Sequence, residues 1–365
     1  MIGPRGIGKL VGRAAEAVHR RGWELYWRAR PGADGEVFEL RPFHLQLEFT
    51  NLCNANCVFC PYSQQLRPHQ RMPDRIFKKA VADYVAMGGG SVDLTPTVGD
   101  ALIHPKFVER VRYLRSISQI DRITLTTNGI LLDRHGVDAV LGSGLSRINI
   151  SLAGFDEEMY ARVYRSPAYK KVLNNVTSQL EANARREKPV TIYLCFRPDR
   201  PKDEVLAAPD LKALLRHHPK ISFVTLFSRS GGKITELPPG MELIAPVTEA
   251  KTEPCRATYT TLLVQSSGDV QVCACEASVN APALVIGNIE RDSLIDIWRG
   301  QRLRELRESF RNGCLNANCA KCDYSYAPPD FHVPAMRRMA RDTRRRLAGE
   351  TVRHDAPITH EWQME

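Results

Sequence analysis

Three cysteines, Cys53, Cys57 and Cys60, constrain this chain more than any other feature. They lie in the run LEFTNLCNANCVFC from Leu47 to Cys60, spaced C-x3-C-x2-C, with Phe59 directly before the third. An extended apolar stretch, Phe43–Thr50, leads into them, so the thiols fall in a loop at the C-terminal end of a strand. In α/β barrels that end of the strands gathers the chemistry. Three thiolates can hold three corners of an iron–sulfur cube and leave the fourth iron open. A structural zinc site closes with a fourth ligand, and none is near in sequence.

Downstream, strands and helices alternate. Strand candidates are Phe43–Thr50, Ser91–Pro96, Arg122–Thr127, Arg147–Leu152, Val190–Phe196 and Ser222–Phe227. Helix candidates are Pro73–Met87, Pro105–Ser116, Arg134–Leu141 and Tyr169–Arg186. Such alternation implies an α/β fold with a mostly parallel sheet and right-handed crossovers. Successive strand residues point to opposite faces. His44, Gln46, Glu48 and Thr50 therefore share one face, as do Asn149 and Ser151, and Tyr193, Cys195 and Arg197. Strands buried on both faces read as continuously apolar. A polar face repeated on several strands points instead to a ligand-filled interior.

Beyond the strands, residues 231–252 are rich in Gly and Pro and read as a linker or covering loop. Cys255 follows, then Gly268 after twelve residues and Cys273 after four more, across a segment that reads as a hairpin turning near Ser267-Gly268-Asp269. After a helix expected over Ser293–Phe310, Cys319 and Cys322 form a C-x2-C pair. These four thiolates make a closed site, for an iron–sulfur cube or for zinc. Cys275 and Cys314 are left over, and either could replace an assigned ligand.

Ten cysteines grouped at ligand spacings suit metal binding in a reducing cytoplasm better than a disulfide framework. No 18-residue apolar run suggests a membrane span. The N-terminus, with Arg5, Lys9 and Arg13, lacks a signal-peptide core. A net charge of +10 favours anionic ligands. Residues 1–42 read as a basic helical extension and 327–365 as a basic tail with Arg337, Arg338, Arg341, Arg344, Arg345 and Arg346, taken as a solvated face. No nucleic-acid motif accompanies these charges, so a nucleic-acid partner is not expected.

The stretch from Leu47 to Cys60 resembles the signature of radical S-adenosylmethionine (SAM) enzymes, Phe59 being its aromatic position. The resemblance implies a partial (β/α)6 barrel over 43–240, with SAM on the open iron of a [4Fe–4S] cluster held by Cys53, Cys57 and Cys60. Gly99-Asp100 stands in the place of the family's Gly-Gly-Glu motif, with Asp for Glu. Asn128, Ser151 and Arg165 match further SAM-contacting positions, Arg165 as the carboxylate partner. Residues 241–326 resemble the SPASM/twitch extension in its shorter twitch form, a β-hairpin plus helix domain. That form carries a second, auxiliary [4Fe–4S] cluster, here on Cys255, Cys273, Cys319 and Cys322.

The resemblance further implies an electron donor such as flavodoxin or ferredoxin. The expected substrate is a small hydroxylated molecule of natural-product biosynthesis, a sugar, aminocyclitol or nucleoside, on which an anionic group would be tolerated. The reaction would be dehydrogenation, diol dehydration or epimerisation. Cys195, outside both thiol sets, is the candidate hydrogen-atom donor. The alternatives are a peptide-modifying maturase and a non-catalytic iron–sulfur or zinc protein.

Overall fold

The structure is a computed structural model that describes residues 40–95, 97–248, 255, 257–275, 278–323, 341–350 and 352. Its strands are β1 (His44–Leu47), β2 (Gly90–Asp93), β3 (Ile120–Thr127), β4 (Arg147–Leu152), β5 (Thr191–Phe196), β6 (Lys220–Phe223), β7 (Leu226–Phe227), β8 (Glu242–Leu243), β9 (Thr261–Val264), β10 (Asp269–Gln271) and β11 (Val285–Asn288). The helices used below are α1 (Asp74–Ala86), α2 (Phe107–Ser116), α3 (Val137–Leu141), α4 (Glu157–Tyr164), α5 (Tyr169–Ala184), α6 (Lys202–Ala207), α7 (Pro209–Leu215), α8 (Leu294–Trp298), α9 (Gln301–Arg311) and α10 (Ala317–Ala320).

One nine-stranded sheet runs in the order β11-β10-β9-β1-β2-β3-β4-β5-β6. Strands β1 to β6 are parallel neighbours, as the alternation of strand and helix requires. Helices close over the sheet through apolar stripes at helical spacing: Ile76, Phe77, Ala80, Val81 and Tyr84 in α1, and Val172, Val176 and Leu180 in α5. Leu45, Leu47, Ile123, Leu125, Ile148, Ile150, Leu194 and Phe196 are buried from the strands' apolar face. The polar face of the same strands is left to line the interior.

The second half continues this sheet rather than standing apart. β9 pairs with β1 in parallel, Leu45 opposite Leu262, and β10 and β11 follow antiparallel. The hairpin turns at Gly268, whose φ of 90° is a conformation that glycine adopts without strain.

Several elements differ from the sequence expectation. The helix over Ser293–Phe310 is two helices, because the chain is extended at Gly300, the N-cap of α9. The sixth strand divides: β6 stays in the sheet, while β7 pairs with β8. Helices α4, α6 and α7 were not anticipated, although α4 opens on a clear signal, the Asp156 carboxylate accepting from Met159 N at 2.6 Å. The expected extension over residues 1–42 lies, up to residue 39, outside the described residues. Residues 341–347 are helical, but their face is not wholly solvated. Arg346 is buried, pairs with Asp121 at 2.5 Å and donates to Gly88 O and Gln119 O, which docks this helix under the sheet.

Candidate active site

The loop after β1 is held open by its backbone. Beyond Leu47 the chain leaves the ladder, and Thr50 bridges Arg71 while Met72 N donates to Phe49 O at 2.8 Å. Residues 50–72 thus form a long excursion with fixed ends. Within it Asn56 N donates to Tyr164 O and Val58 N to Val163 O, fastening the loop to the end of α4. Cys53, Cys57 and Cys60 are all partly buried and free of disulfides.

The segment after β2 packs directly beneath. Gly99 has φ 112°, and a Cβ there would lie 2.7 Å from Thr50 O and 2.9 Å from Leu52 O. Only glycine fits this approach. Asp100 N then donates to Leu52 O at 2.8 Å. The buried Asp100 carboxylate accepts from Leu102 N, Thr127 Oγ1 and Asn128 N at 3.0, 2.7 and 3.0 Å. Burial raises its pKa, against the pull of these donors. The carboxylate thereby ties β3 to the cysteine loop. Asn128 completes the tie: its Nδ2 donates to Asn54 Oδ1 at 2.8 Å and lies 3.8 Å from Cys53 Sγ.

The opposite wall comes from β4, β5 and α4. Ser151 Oγ is 2.7 Å from Tyr164 OH and accepts from Arg197 Nη1 at 2.6 Å. The Arg197 guanidinium lies 5.4 Å from the Phe59 ring centroid. Phe227 stacks on Phe59 at 5.6 Å, and Tyr164 meets it edge-on at 5.7 Å. Cys195 is partly buried and in register with Ser151 on β4 and Ser222 on β6. The three cysteines, Phe59, Gly99, Asp100, Asn128, Ser151 and Cys195 therefore share the C-terminal end of the sheet. Arg165 is set differently: it follows α4 in a left-handed conformation, φ 49°, and is exposed. Arg197 and Tyr164 were not singled out from sequence, though the alternation through Tyr193 and Cys195 pointed to Arg197.

The second thiol group forms around the hairpin. Burial, then Cys273 and Cys322, push the Cys255 thiol up to about 12. A hydrogen bond with Cys273 and then burial raise Cys275 well above its ordinary value. Cys255, Cys273, Cys275 and Cys322 thus lie within electrostatic reach of one another. Cys319 accepts from Asn316 Nδ2 at 3.3 Å at the start of α10. Cys314 is exposed and faces Asn312 O.

The donor chemistry fits iron–sulfur clusters. Burial and the charge of Asp100 push Cys53 up to about 11, and burial with its neighbours Cys60 and Cys53 raises Cys57 as well. Thiolates so crowded need a cationic centre to neutralise them, and metal binding supplies it by displacing the protons. Among the described residues no three His, Cys, Asp or Glu side chains converge to hold a single metal ion. In an iron–sulfur cube each thiolate binds its own iron, so the sulfurs have no need to meet at one point.

Residues 47–211 match the radical SAM superfamily, and residues 255–323 match the SPASM iron-sulfur cluster-binding domain. The chain thus carries a radical SAM domain followed by a SPASM iron–sulfur domain. Its cofactors are accordingly SAM, a [4Fe–4S] cluster and auxiliary iron–sulfur chemistry in the SPASM domain. Among curated relatives, GTP 3',8-cyclase of Chlorobaculum tepidum is 30% identical over 129 residues, 35% of this chain and 38% of that protein. The enzyme of the same name from Clostridium perfringens (strain 13 / Type A) is 29% identical over 194 residues, 52% of this chain and 57% of that one. The chain thus spans about two fifths to three fifths of the length of these relatives. Among solved structures, Streptococcus suis SuiB bound to precursor peptide SuiA matches with TM-score 0.56 at 16% identity, covering 78% of this chain and 70% of that one. BtrN in complex with AdoMet and 2-DOIA matches with TM-score 0.51 at 16% identity, covering 78% and 94%. At such identities the likeness is one of fold.

Among the described residues no helix of this radical SAM protein is long and apolar enough to cross a membrane.

Proposed function

We propose that this radical SAM enzyme takes a hydrogen atom from a hydroxyl-bearing carbon of a small polyhydroxylated molecule, a sugar, aminocyclitol or nucleoside. Bound SAM and the reduced cluster supply the 5'-deoxyadenosyl radical that does so. The outcome would be dehydrogenation, diol dehydration or epimerisation.

The supporting observation is the polar band on the interior face, one to two pleats below Ser151 and Cys195. Arg147 lies 3.8 Å over the Tyr193 ring and donates through Nε to Asn149 Oδ1 at 2.6 Å. Asn149 Nδ2 in turn donates to Thr126 Oγ1 at 3.2 Å. Asp93 accepts from Thr95 N, and burial raises its pKa. Gln46 Oε1 is buried with no hydrogen-bond partner. A buried acceptor in that state costs about 1–3 kcal/mol, which a substrate hydroxyl would recover. Donors and acceptors so interleaved match a ring of hydroxyls better than an apolar side chain. The curated relatives' name, which has GTP as what they act on, supports the nucleoside limb of this reading.

In this reading Cys53, Cys57 and Cys60 hold the cluster, and Cys255, Cys273, Cys319 and Cys322 hold an auxiliary one. Phe59, Gly99, Asp100, Asn128, Ser151 and Arg165 shape and bind the SAM site. In the epimerising case Cys195 returns a hydrogen atom to the substrate carbon, and one electron from flavodoxin or ferredoxin together with one proton from solvent would restore the thiol. The test is anaerobic reconstitution, then 5'-deoxyadenosine release with panels of nucleosides, sugars, aminocyclitols and peptides. Turnover stimulated only by peptides would replace this reading with a peptide maturase. No release under reducing conditions would leave a non-catalytic metal protein.

A further inference from the structure

We propose that Arg197 sets the reduction potential of the SAM-site cluster, acting as a fixed positive charge beside Cys57 and Phe59. The inference rests on the cluster being held by Cys53, Cys57 and Cys60. Arg197 ends the polar face of β5, and two observations fix its side chain. Nη1 donates to Ser151 Oγ at 2.6 Å, and that hydroxyl is itself held by Tyr164 OH at 2.7 Å. The guanidinium also rests 5.4 Å from the ring of Phe59, the residue next to Cys60. Phe227 and Tyr164 close on other sides of that ring.

The guanidinium is thus pinned between a hydroxyl and an aromatic ring, at the edge of the loop that carries the three thiols. Arg197 lies within electrostatic reach of Cys57. Asp100 lies within electrostatic reach of Cys53, on the other side of the loop. The loop therefore lies between a carboxylate committed to backbone and hydroxyl donors and a guanidinium set against the ring of Phe59.

Reduction adds one electron, supplied by an external donor, to a cluster that already bears three thiolate charges. A nearby fixed cation stabilises the more negative, reduced form and raises the potential, since net charge is among the levers that tune such clusters. Arginine suits this task because it stays charged in proteins and stacks on aromatic rings. Arg197 is a positioning residue in this account. It acts through the cluster, and an altered midpoint rather than altered turnover is its signature.

The test is an EPR-monitored redox titration of the reconstituted protein, comparing wild type with Arg197→Gln and Arg197→Lys. The SAM-site signal is identified as the one that changes when SAM is added. Arg197→Gln keeps a donor for Ser151 and loses the charge, whereas Arg197→Lys keeps the charge. The expected result is full iron content in both variants. The reduction equilibrium should weaken about tenfold in Arg197→Gln, a drop of about 59 mV for one electron, with Arg197→Lys close to wild type. An unchanged midpoint in Arg197→Gln would overturn the proposal, as would an equal drop in both variants. Loss of iron in both would also overturn it and make Arg197 part of the scaffold. Wild-type protein that gave no SAM-responsive cluster signal would overturn the cluster reading itself, a failure distinct from a present cluster with an insensitive potential.

Discussion

Replacing Glu48 should loosen the joint between the two halves of the molecule. Glu48 is fully buried, and its carboxylate meets Arg67 in two parallel hydrogen bonds of 2.9 and 2.7 Å. The same carboxylate accepts from Ser266 N at 3.0 Å and Ser266 Oγ at 2.8 Å. One residue thus binds the strand before the cysteine loop, the returning arm of that loop and the β9–β10 turn. Breaking a buried pair by removing one partner costs about 3–5 kcal/mol. Arg67 is 22% exposed and regains some water, so the lower end, about 3 kcal/mol, applies to Glu48→Gln. An unfolding entropy of about 2.1 cal/mol/K per residue over 365 residues gives about 0.8 kcal/mol/K. The midpoint of thermal unfolding should therefore fall by about 4 °C in a cooperative transition.

The assay is anaerobic calorimetry of cluster-loaded wild type, Glu48→Gln, Arg67→Gln and the double variant. Because both single changes break the same bond pair, the double variant should lose clearly less than the sum of the two, a coupling above about 1 kcal/mol. Additive losses, or a shift under about 1 °C in Glu48→Gln, would refute the clamp.

Three further outcomes follow from the same geometry. Reconstituted protein should hold about eight irons, and replacing Cys53, Cys57 and Cys60 by Ala should leave about four and abolish SAM cleavage; zinc in place of the remaining iron would refute the auxiliary cluster. Cys314→Ser should leave the iron content unchanged, because that thiol is exposed and faces Asn312 O; a loss of about four irons would make it a ligand. His104 is buried with Nδ1 accepting from Lys106 N and Nε2 on Met72 O, and burial, then Arg110, lower its pKa to about 4. The folded state disfavours its protonation, so stability is full above the unfolded value of about 6.5 and declines as pH falls from there towards 4. Urea midpoints at two pH values within that window should differ more in wild type than in His104→Gln, and equal differences would refute the assignment.

What the sequence disclosed depended on the range over which each residue acts. The placing of the cysteine triad, Asn128 and Ser151 beyond or at strand ends was legible because strand ends are local patterns, whereas the roles proposed for them came from the family resemblance. Glu48 was read with His44 and Gln46 as part of a ligand-facing interior. It serves instead as a clamp, because its partners Arg67 and Ser266 lie 19 and 218 positions away. No periodicity reports a partner at that distance. Arg197 was visible only as the next polar residue on its strand. Its relation to Ser151 arises from β4–β5 pairing and its relation to Phe59 from the loop's return across the sheet. The left-handed turn at Arg165 likewise depends on where α4 stops, a helix the apolar pattern did not reveal.

The division near residue 240 marks a change of composition more than a mechanical boundary. β9 lies against β1, directly before the first thiol loop, and Glu48 reaches across to Ser266. A second connection runs through the thiol sites themselves. Phe227 stacks on Phe59, and the next residue, Ser228, donates to the buried carboxylate of Asp323 at 2.7 Å. Asp323 adjoins Cys322 in sequence and also accepts from Arg229 N. Cys322 is therefore positioned by the same short segment that packs on Phe59 of the first thiol loop. A distortion at Phe59 or Phe227 has a direct covalent and hydrogen-bonded route to Cys322. The β7 segment thus joins the two groups of thiols, and their relative placement depends on it.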